Sequence, residues 1–275
     1  TRNVPIMKSK DLVEWTYCNT AFTNKTRPRF EPKAGIWAPD INYINGKYVL
    51  YYAMSVWGGE QTCGIGVATA NSPQGPFTDH GKMFRSNEIG VQNSIDPSLL
   101  QYEGRNYLVW GSFRGIYVIE LTADGLSIMS GAKKKRIAGT AFEAVYIHKH
   151  GDYYYMFASI GSCCQGVKST YKVVVGRSKK VWGPYKDKTG KPMLKNGYSL
   201  VIGANDHFVG NGHGSQIIQD DAGQDWLLYH GFSRSTPENG RILLLDQIKW
   251  DQEGWPYVEG GSPSYETQKA PVFNN

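Results

Sequence analysis

The chain has 275 residues, 40% hydrophobic, 13% aromatic and 20% charged, a composition that can bury a core and excludes disordered, collagen-like and coiled-coil proteins. Lys and Arg number 30 against 24 Asp and Glu, for a net charge of +6, yet the densest basic run, Lys133 to Arg136, is short, follows the turn-like Ser130-Gly131 and reads as a solvated loop, not a nucleic-acid track. No stretch reaches the roughly 18 apolar residues that a bilayer span needs, no apolar signal-peptide core follows Thr1, and four cysteines are too few for a disulfide scaffold.

Taken in chain order, the predicted elements repeat. A leading fragment, Val4 to Phe22, carries the polar turn Ser9 to Trp15. Four glycine turns follow, at Gly46, Gly104, Gly151 and Gly223, each leading into an aromatic and aliphatic run: to Ser55, Phe113, Ile160 and Phe232. Such runs after a glycine turn favour buried strands. A second polar turn with an apolar anchor recurs at Asn71 to Phe77, Thr122 to Ile128 and Ser178 to Tyr185. Helical periodicity is sparse, and 32 Gly and 13 Pro punctuate the chain.

The spacing of the glycines is that of four-stranded propeller blades with insertions. The pattern therefore predicts an all-β fold, a five-bladed β-propeller with the first blade incomplete at the N-terminus. It reads as one domain over 1–275: partial blade 1 at 1–33, then 34–90, 91–138, 139–204, and 205–275 as blade 5 with closure. A β-sandwich with similar turns is the competing architecture, disfavoured because the whole two-element unit recurs.

Three acids precede the glycine turns at similar offsets: Asp40, Asp96 and Glu143. Acids converging from successive blades have either a partner or a task, because an unpaired buried carboxylate is costly. Singly, each reads as a turn residue, as in Pro39-Asp40 and Asp96-Pro97. In register, they suggest the two-carboxylate chemistry of glycoside hydrolysis, in which one acid protonates the leaving oxygen and a carboxylate activates water or attacks the sugar.

The ordered motifs Trp37-Ala-Pro-Asp40, Ser94-Ile-Asp-Pro97, Phe142-Glu-Ala-Val-Tyr-Ile147 and Gly212-His-Gly-Ser215 resemble glycoside hydrolase family 43, most closely its arabinan-degrading branch. The resemblance extends to Trp255-Pro256. It implies inverting hydrolysis of α-1,5-linked arabinan or arabino-oligosaccharides, with Glu143 as general acid and Asp96 as the aspartate that orients and tunes it. A β-xylosidase or arabinofuranosidase of the same family, or a non-catalytic carbohydrate-binding propeller, is the alternative. The family's general base lies in a His-Asp-Pro-like motif on the first inner strand. That motif is expected upstream of Thr1, because Pro263 to Asn275 contains no aspartate. Val145 and the pair Phe113-Arg114 depart from the family's pattern and bear on subsites.

The substrate-binding residues expected are Trp37, Asp40, Trp57, Asn93 and Phe113. Trp37 and Trp57 offer flat faces for sugar stacking, against the alternative of core packing. Asp40 matches a cavity-wall residue of the family with no catalytic role to carry over. His213, between two glycines, matches the family's metal-binding histidine. A calcium or other divalent ion is expected there with waters completing the shell, since calcium prefers many oxygen ligands; a hydrogen-bonded core histidine is the alternative. Cys163 and Cys164 are open between reduced thiols and a vicinal disulfide. Plant cell-wall polysaccharide or oligosaccharide is the expected partner, with no nucleic acid and no membrane. A monomer in a secreted or periplasmic location is expected.

Overall fold

Turns of Asn45-Gly46 and Glu103-Gly104 place both central residues at positive φ (48 and 81; 49 and 72), the left-handed pair that closes a two-residue hairpin in step with strand twist. From such turns the computed structural model, which describes residues 2–274, builds antiparallel meanders. A hairpin pairs β1 (Pro5–Lys8) with β2 (Thr16–Thr20). The next sheet runs β3 (Gly35–Ile44), β4 (Lys47–Ser55), β5 (Gly64–Ala70) and β6 (Thr78–Arg85). Another runs β7 (Ser98–Tyr102), β8 (Arg105–Trp110), β9 (Ile116–Glu120) and β10 (Lys135–Ala138). A third runs β11 (Glu143–His150), β12 (Tyr153–Ile160), β13 (Lys172–Ser178) and β14 (Ser199–Ile202). The last sheet orders β15 (Phe208–Gly212), β17 (Asp225–Ser233), β18 (Arg241–Trp250) and β19 (Pro256–Tyr257), with β16 (Ile218–Gln219) on β17. The one α-helix among the described residues is the single turn Ser86–Ile89, and no helix is long and apolar enough to cross a membrane.

The chain folds as two compact units, one of residues 2–8 and 16–140, the other of 9–15 and 141–274. In the first, Tyr51, Ile65, Leu108 and Trp110 anchor a core drawn from two neighbouring sheets, and Phe22, Tyr52, Met54 and Phe77 anchor a second. In the other unit, Tyr155, Val175, Leu227, Tyr229 and Trp255 pack together. The repeated aromatic and aliphatic runs are thus the second strands of the sheets, and they are largely buried.

In the four larger sheets the first strand is broken, or preceded by a break, at one place. In β3, Trp37 pairs with Ala53 and Asp40 with Tyr51, so Ala38 and Pro39 stand opposite the single residue Tyr52. In β11, Glu143 pairs with Ser159 and Tyr146 with Phe157, leaving Ala144 and Val145 opposite Ala158. In β15, Val209 pairs with Phe232 and Gly212 with His230, leaving Gly210 and Asn211 opposite Gly231. Ahead of β7, the Ile95 carbonyl accepts the Gly111 amide at 3.0 Å and Ser98 pairs with Val109, so Asp96 and Pro97 are the corresponding pair. The first residue of every pair is left-handed: Ala38 at φ 44, Asp96 at 55, Ala144 at 52 and Gly210 at 68. A two-against-one bulge bends its strand and re-aims the side chains beside it.

This register corrects the similar offsets read from the sequence. Glu143 stands just before its bulge, Asp96 is the first residue of its own, and Asp40 follows its bulge. The glycine is the second residue of the turn at 45–46 but the first at 151–152, so counting back from glycine misaligns the sheets by one residue.

Two side chains tie β3–β6 to β7–β10 within the first unit. The buried Tyr51 hydroxyl donates to the Gly125 carbonyl at 2.8 Å, and Asp40 Oδ2 accepts the Leu99 amide at 2.8 Å and the Asn42 amide at 2.7 Å. Desolvation pushes the Asp40 carboxyl up to about 6, with those two hydrogen bonds opposing it. Replacing Tyr51 by Phe should cost about 1–3 kcal/mol in urea unfolding, because the Gly125 carbonyl is left buried without its donor. For Asp40 the folded state holds its proton more tightly than the unfolded chain, so the charged form costs stability, and that cost grows as pH rises from about 4 through about 6. Asp40→Asn should therefore gain on the wild type over that interval, by at most about 3 kcal/mol. Urea midpoints across the interval measure it, and a difference between the two proteins that does not change with pH would refute the buried charge.

Candidate active site

In the first unit a buried belt of hydrogen bonds positions Asp96, which is 7% exposed. Ser94 Oγ accepts the Trp110 indole N–H at 3.0 Å and donates to the Val91 carbonyl at 2.8 Å, while its amide donates to Ser86 Oγ at 3.0 Å. Next to it, Asn93 at φ 52 donates its side-chain amide to the Ser112 carbonyl and hydroxyl at 3.0 and 2.9 Å. That anchors the turn carrying Phe113, itself at φ 52. Arg114 then grips Glu60 with two bonds of 2.9 Å, tying this turn to the loop that carries Trp57.

Trp37 is half-buried and packs on Ala53, Cys63 and Ile95. Trp57 is 81% exposed, with its ring centroid 6.4 Å from that of Trp37 at an angle of 58°. A tryptophan this bare is unused by the core and is available for a ligand. The structure therefore brings Trp37, Trp57, Asn93, Asp96 and Phe113 onto connected segments, whereas Asp40 is engaged in the bond to β7 described above.

In the other unit Glu143, 8% exposed, opens β11. Its Oε1 accepts the hydroxyl of the buried Tyr171 at 2.5 Å. Ser159, opposite Glu143 on β12, accepts the His213 amide at 2.8 Å. Gly212 lets this happen: a Cβ there would lie 2.3 Å from Tyr171 Cδ1, so only glycine permits the ring to lie on the strand. His213 is itself left-handed at φ 51. Desolvation pushes its imidazole down from the ordinary value, Arg241 adds to that, and Glu143 opposes it, which leaves the ring neutral at pH 7.

Tyr171 and His230 were not found from the sequence. Tyr171 lies outside every motif, and nothing in the sequence pairs it with Glu143. His230 did carry a signal: on the ladder it takes the rung held by Tyr51, Val109 and Phe157, where the repeat otherwise places a side chain that does not ionise near neutral pH. It stacks on Tyr171 at 5.7 Å, its two ring nitrogens are buried without a hydrogen-bond partner, and burial with the nearby Arg241 and His213 pushes it down to about 3.

These donors fit a calcium ion poorly. His213 offers a neutral nitrogen, and it belongs to no group of three His, Cys, Asp or Glu side chains with converging ligand atoms among the described residues. Calcium takes six to eight oxygens, so the side chains around His213 do not build a cage for it. Cys163 and Cys164, open between two states in the sequence, are joined as a disulfide in the turn between β12 and β13.

Residues 1–256 match the family described as glycosyl hydrolases family 43. The chain is 37% identical to the extracellular exo-α-(1→5)-L-arabinofuranosidase of Cellvibrio japonicus, over 93% of this chain and 80% of that protein. It is 36% identical to the extracellular endo-α-(1→5)-L-arabinanase 1 of Bacillus subtilis, over the same shares. The α-L-arabinanase of Cellvibrio cellulosa, solved with arabinohexaose, is similar at a TM-score of 0.85 and 35% identity, covering 94% of this chain and 89% of that one. The fold class is accordingly all-β and β-propeller, as the sequence predicted. With the match spanning nearly the whole chain, this protein belongs to glycosyl hydrolase family 43 and is a glycosidase.

Proposed function

We propose that the chain hydrolyses α-1,5-linked arabinan or arabino-oligosaccharides with inversion, Glu143 donating the proton to the leaving oxygen and Asp96 orienting and tuning that acid. The observation that carries this reading is Glu143 itself. It is a buried carboxyl beside a bulge that accepts the Tyr171 hydroxyl, in a chain whose relatives at 36 and 37% identity are named for the α-1,5-arabinan linkage. A proton donor for glycosidic cleavage needs a dry, fixed position of this kind. Asp40 is assigned to the bond between sheets and not to water activation, because its Oδ2 already accepts two amides. Trp57 and Trp37 are assigned to stacking on the sugar, with Asn93 and Phe113 at the same rim.

Exo action on oligosaccharides is the second form of the reading, favoured by the likeness to the Cellvibrio exo-enzyme. The blade count proposed is five. The β1–β2 hairpin, whose polar turn matches those between the third and fourth strands of later sheets, is the remaining part of the first blade. A secreted or periplasmic monomer is proposed with it, supported for location by the word extracellular in the names of both relatives. A divalent ion at His213, calcium included, would draw its remaining ligands from water; dialysis against a chelator followed by metal analysis tests that.

Glu143→Gln should slow cleavage of linear arabinan by about 10²–10⁴-fold and spare aryl arabinosides with good leaving groups, which need less protonation. Equal loss on both, with cooperative unfolding intact, removes the acid role. If Asp96 has this role, Asp96→Asn should move the alkaline limb of the pH–rate profile to lower pH, because a negative charge set against the acid favours its protonated form. A raised KM with an unmoved limb would make Asp96 a sugar ligand instead. Proton NMR of the first-formed anomer tests inversion directly.

A further inference from the structure

At the far end of β11 from Glu143, about 20 Å along the strand at 3.3 Å per residue, lies a group of side chains that the hydrolytic reading does not use. His148 and His150 are two residues apart and so face the same side of the strand. Asp225, the first residue of β17 and only 5% exposed, meets them from the neighbouring sheet of the same unit. One ligand atom from each of the three lies within 4.8 Å of the others, and His150 Nδ1 is 3.8 Å from Asp225 Oδ2. We propose that His148, His150 and Asp225 form a binding site for a zinc-class divalent cation that clamps the end of β11 to β17.

Two imidazoles and a carboxylate are a donor set for zinc and its neighbours in the first transition row, not for calcium or magnesium, which take oxygen. In a tetrahedral zinc site with bonds near 2.0–2.1 Å, ligand atoms stand roughly 3.3 Å apart. The observed 3.8 Å between His150 Nδ1 and Asp225 Oδ2 is about half an ångström wider than that, a gap that a bound cation would have to draw in. The surroundings are those of ordered ligands. Asp225 Oδ2 accepts the Trp250 indole N–H at 2.7 Å, and its Oδ1 accepts the Gln219 amide at 3.2 Å. Trp250 also lies flat on His150, with ring centroids 3.7 Å apart and planes 6° from parallel. The Tyr146 hydroxyl is 3.4 Å from His148 Nδ1, which leaves Nε2 to the cation. Partners that fix ring orientation and carboxylate direction are what a metal site requires beyond its ligands. With three protein ligands, water fills the fourth position. The cation bridges two sheets, and its expected effect is on stability.

The test is titration of the untagged, metal-stripped chain with zinc by calorimetry and with cobalt(II) by visible absorption, together with thermal melts. One zinc per chain should bind saturably, cobalt should give the bands of a four-coordinate site, and Tm should rise with zinc because the cation binds the folded state alone. His148→Gln and His150→Gln should each weaken binding at least tenfold and abolish the rise in Tm, and Trp250→Phe should weaken it about 10–100-fold. Because His150 is partly exposed, its variant is the one expected to keep the fold. No saturable binding by the wild type, or equal affinity in the folded His150→Gln variant, overturns the proposal; binding that survives there places the cation elsewhere.

Discussion

A left-handed residue interrupts the first strand of three of the four larger sheets and stands just ahead of it in the fourth, always opposite the same rung of the second strand, and the placement of the catalytic candidates depends on that interruption. Ala38, Asp96 and Ala144 occupy a region of backbone space that L-residues avoid, at a cost on the order of 1–3 kcal/mol each. Only flanking structure can hold them there. That structure is the run of buried second strands, in which Tyr51, Trp110, Tyr155 and Tyr229 are almost wholly enclosed. A continuous ladder would have alternated side chains strictly between the two faces of the sheet; the extra residue breaks the alternation where a carboxylate must be aimed.

Once aimed, a carboxylate still has to be held dry without being left alone. Glu143 is enclosed, yet it takes a short bond from Tyr171, whose ring fits only because Gly212 has no side chain. The same enclosure acts oppositely on the neighbouring bases. His213 and His230 are both driven toward the neutral form by desolvation. Burial thus withholds positive charge from the two imidazoles that lie around Tyr171 and Ser159, the partners of the acid and of its strand. On the first unit the solution differs, since Asp96 is placed by backbone strain and by a serine–tryptophan belt below it.

How much of this the sequence revealed follows from the range of the interactions. Hairpin turns and buried runs are local, so Asn45-Gly46 and the strand after it announce themselves. The bulges are not local, because Ala38-Pro39 and Ala144-Val145 become bulges only against Tyr52 and Ala158, and no periodicity in one strand reports the count on the other. That is why the three acids looked equivalent when counted from a glycine that changes its own place in the turn. Tyr171 is invisible for the same reason, being 28 residues from the carboxyl it serves. The alternation His148-Lys149-His150 was readable, but the carboxylate that gives it meaning, Asp225, is supplied by another sheet.

The two ends of β11 divide the demands on the fold. Near Glu143 the ladder is broken, the backbone is strained and polar side chains are enclosed, all of which oppose stability. Toward the other end the ladder is regular, running without a shift from Tyr146–Phe157 to His150–Tyr153, and His150 stacks on Trp250, which meets Tyr155 edge to face. Strain persists only where the surrounding structure over-determines it, and the regular end of β11 adds to the buried second strands in doing so. A cross-sheet clamp of aromatic rings and a buried aspartate at the regular end, tightened by a cation or not, provides that determination without entering the chemistry.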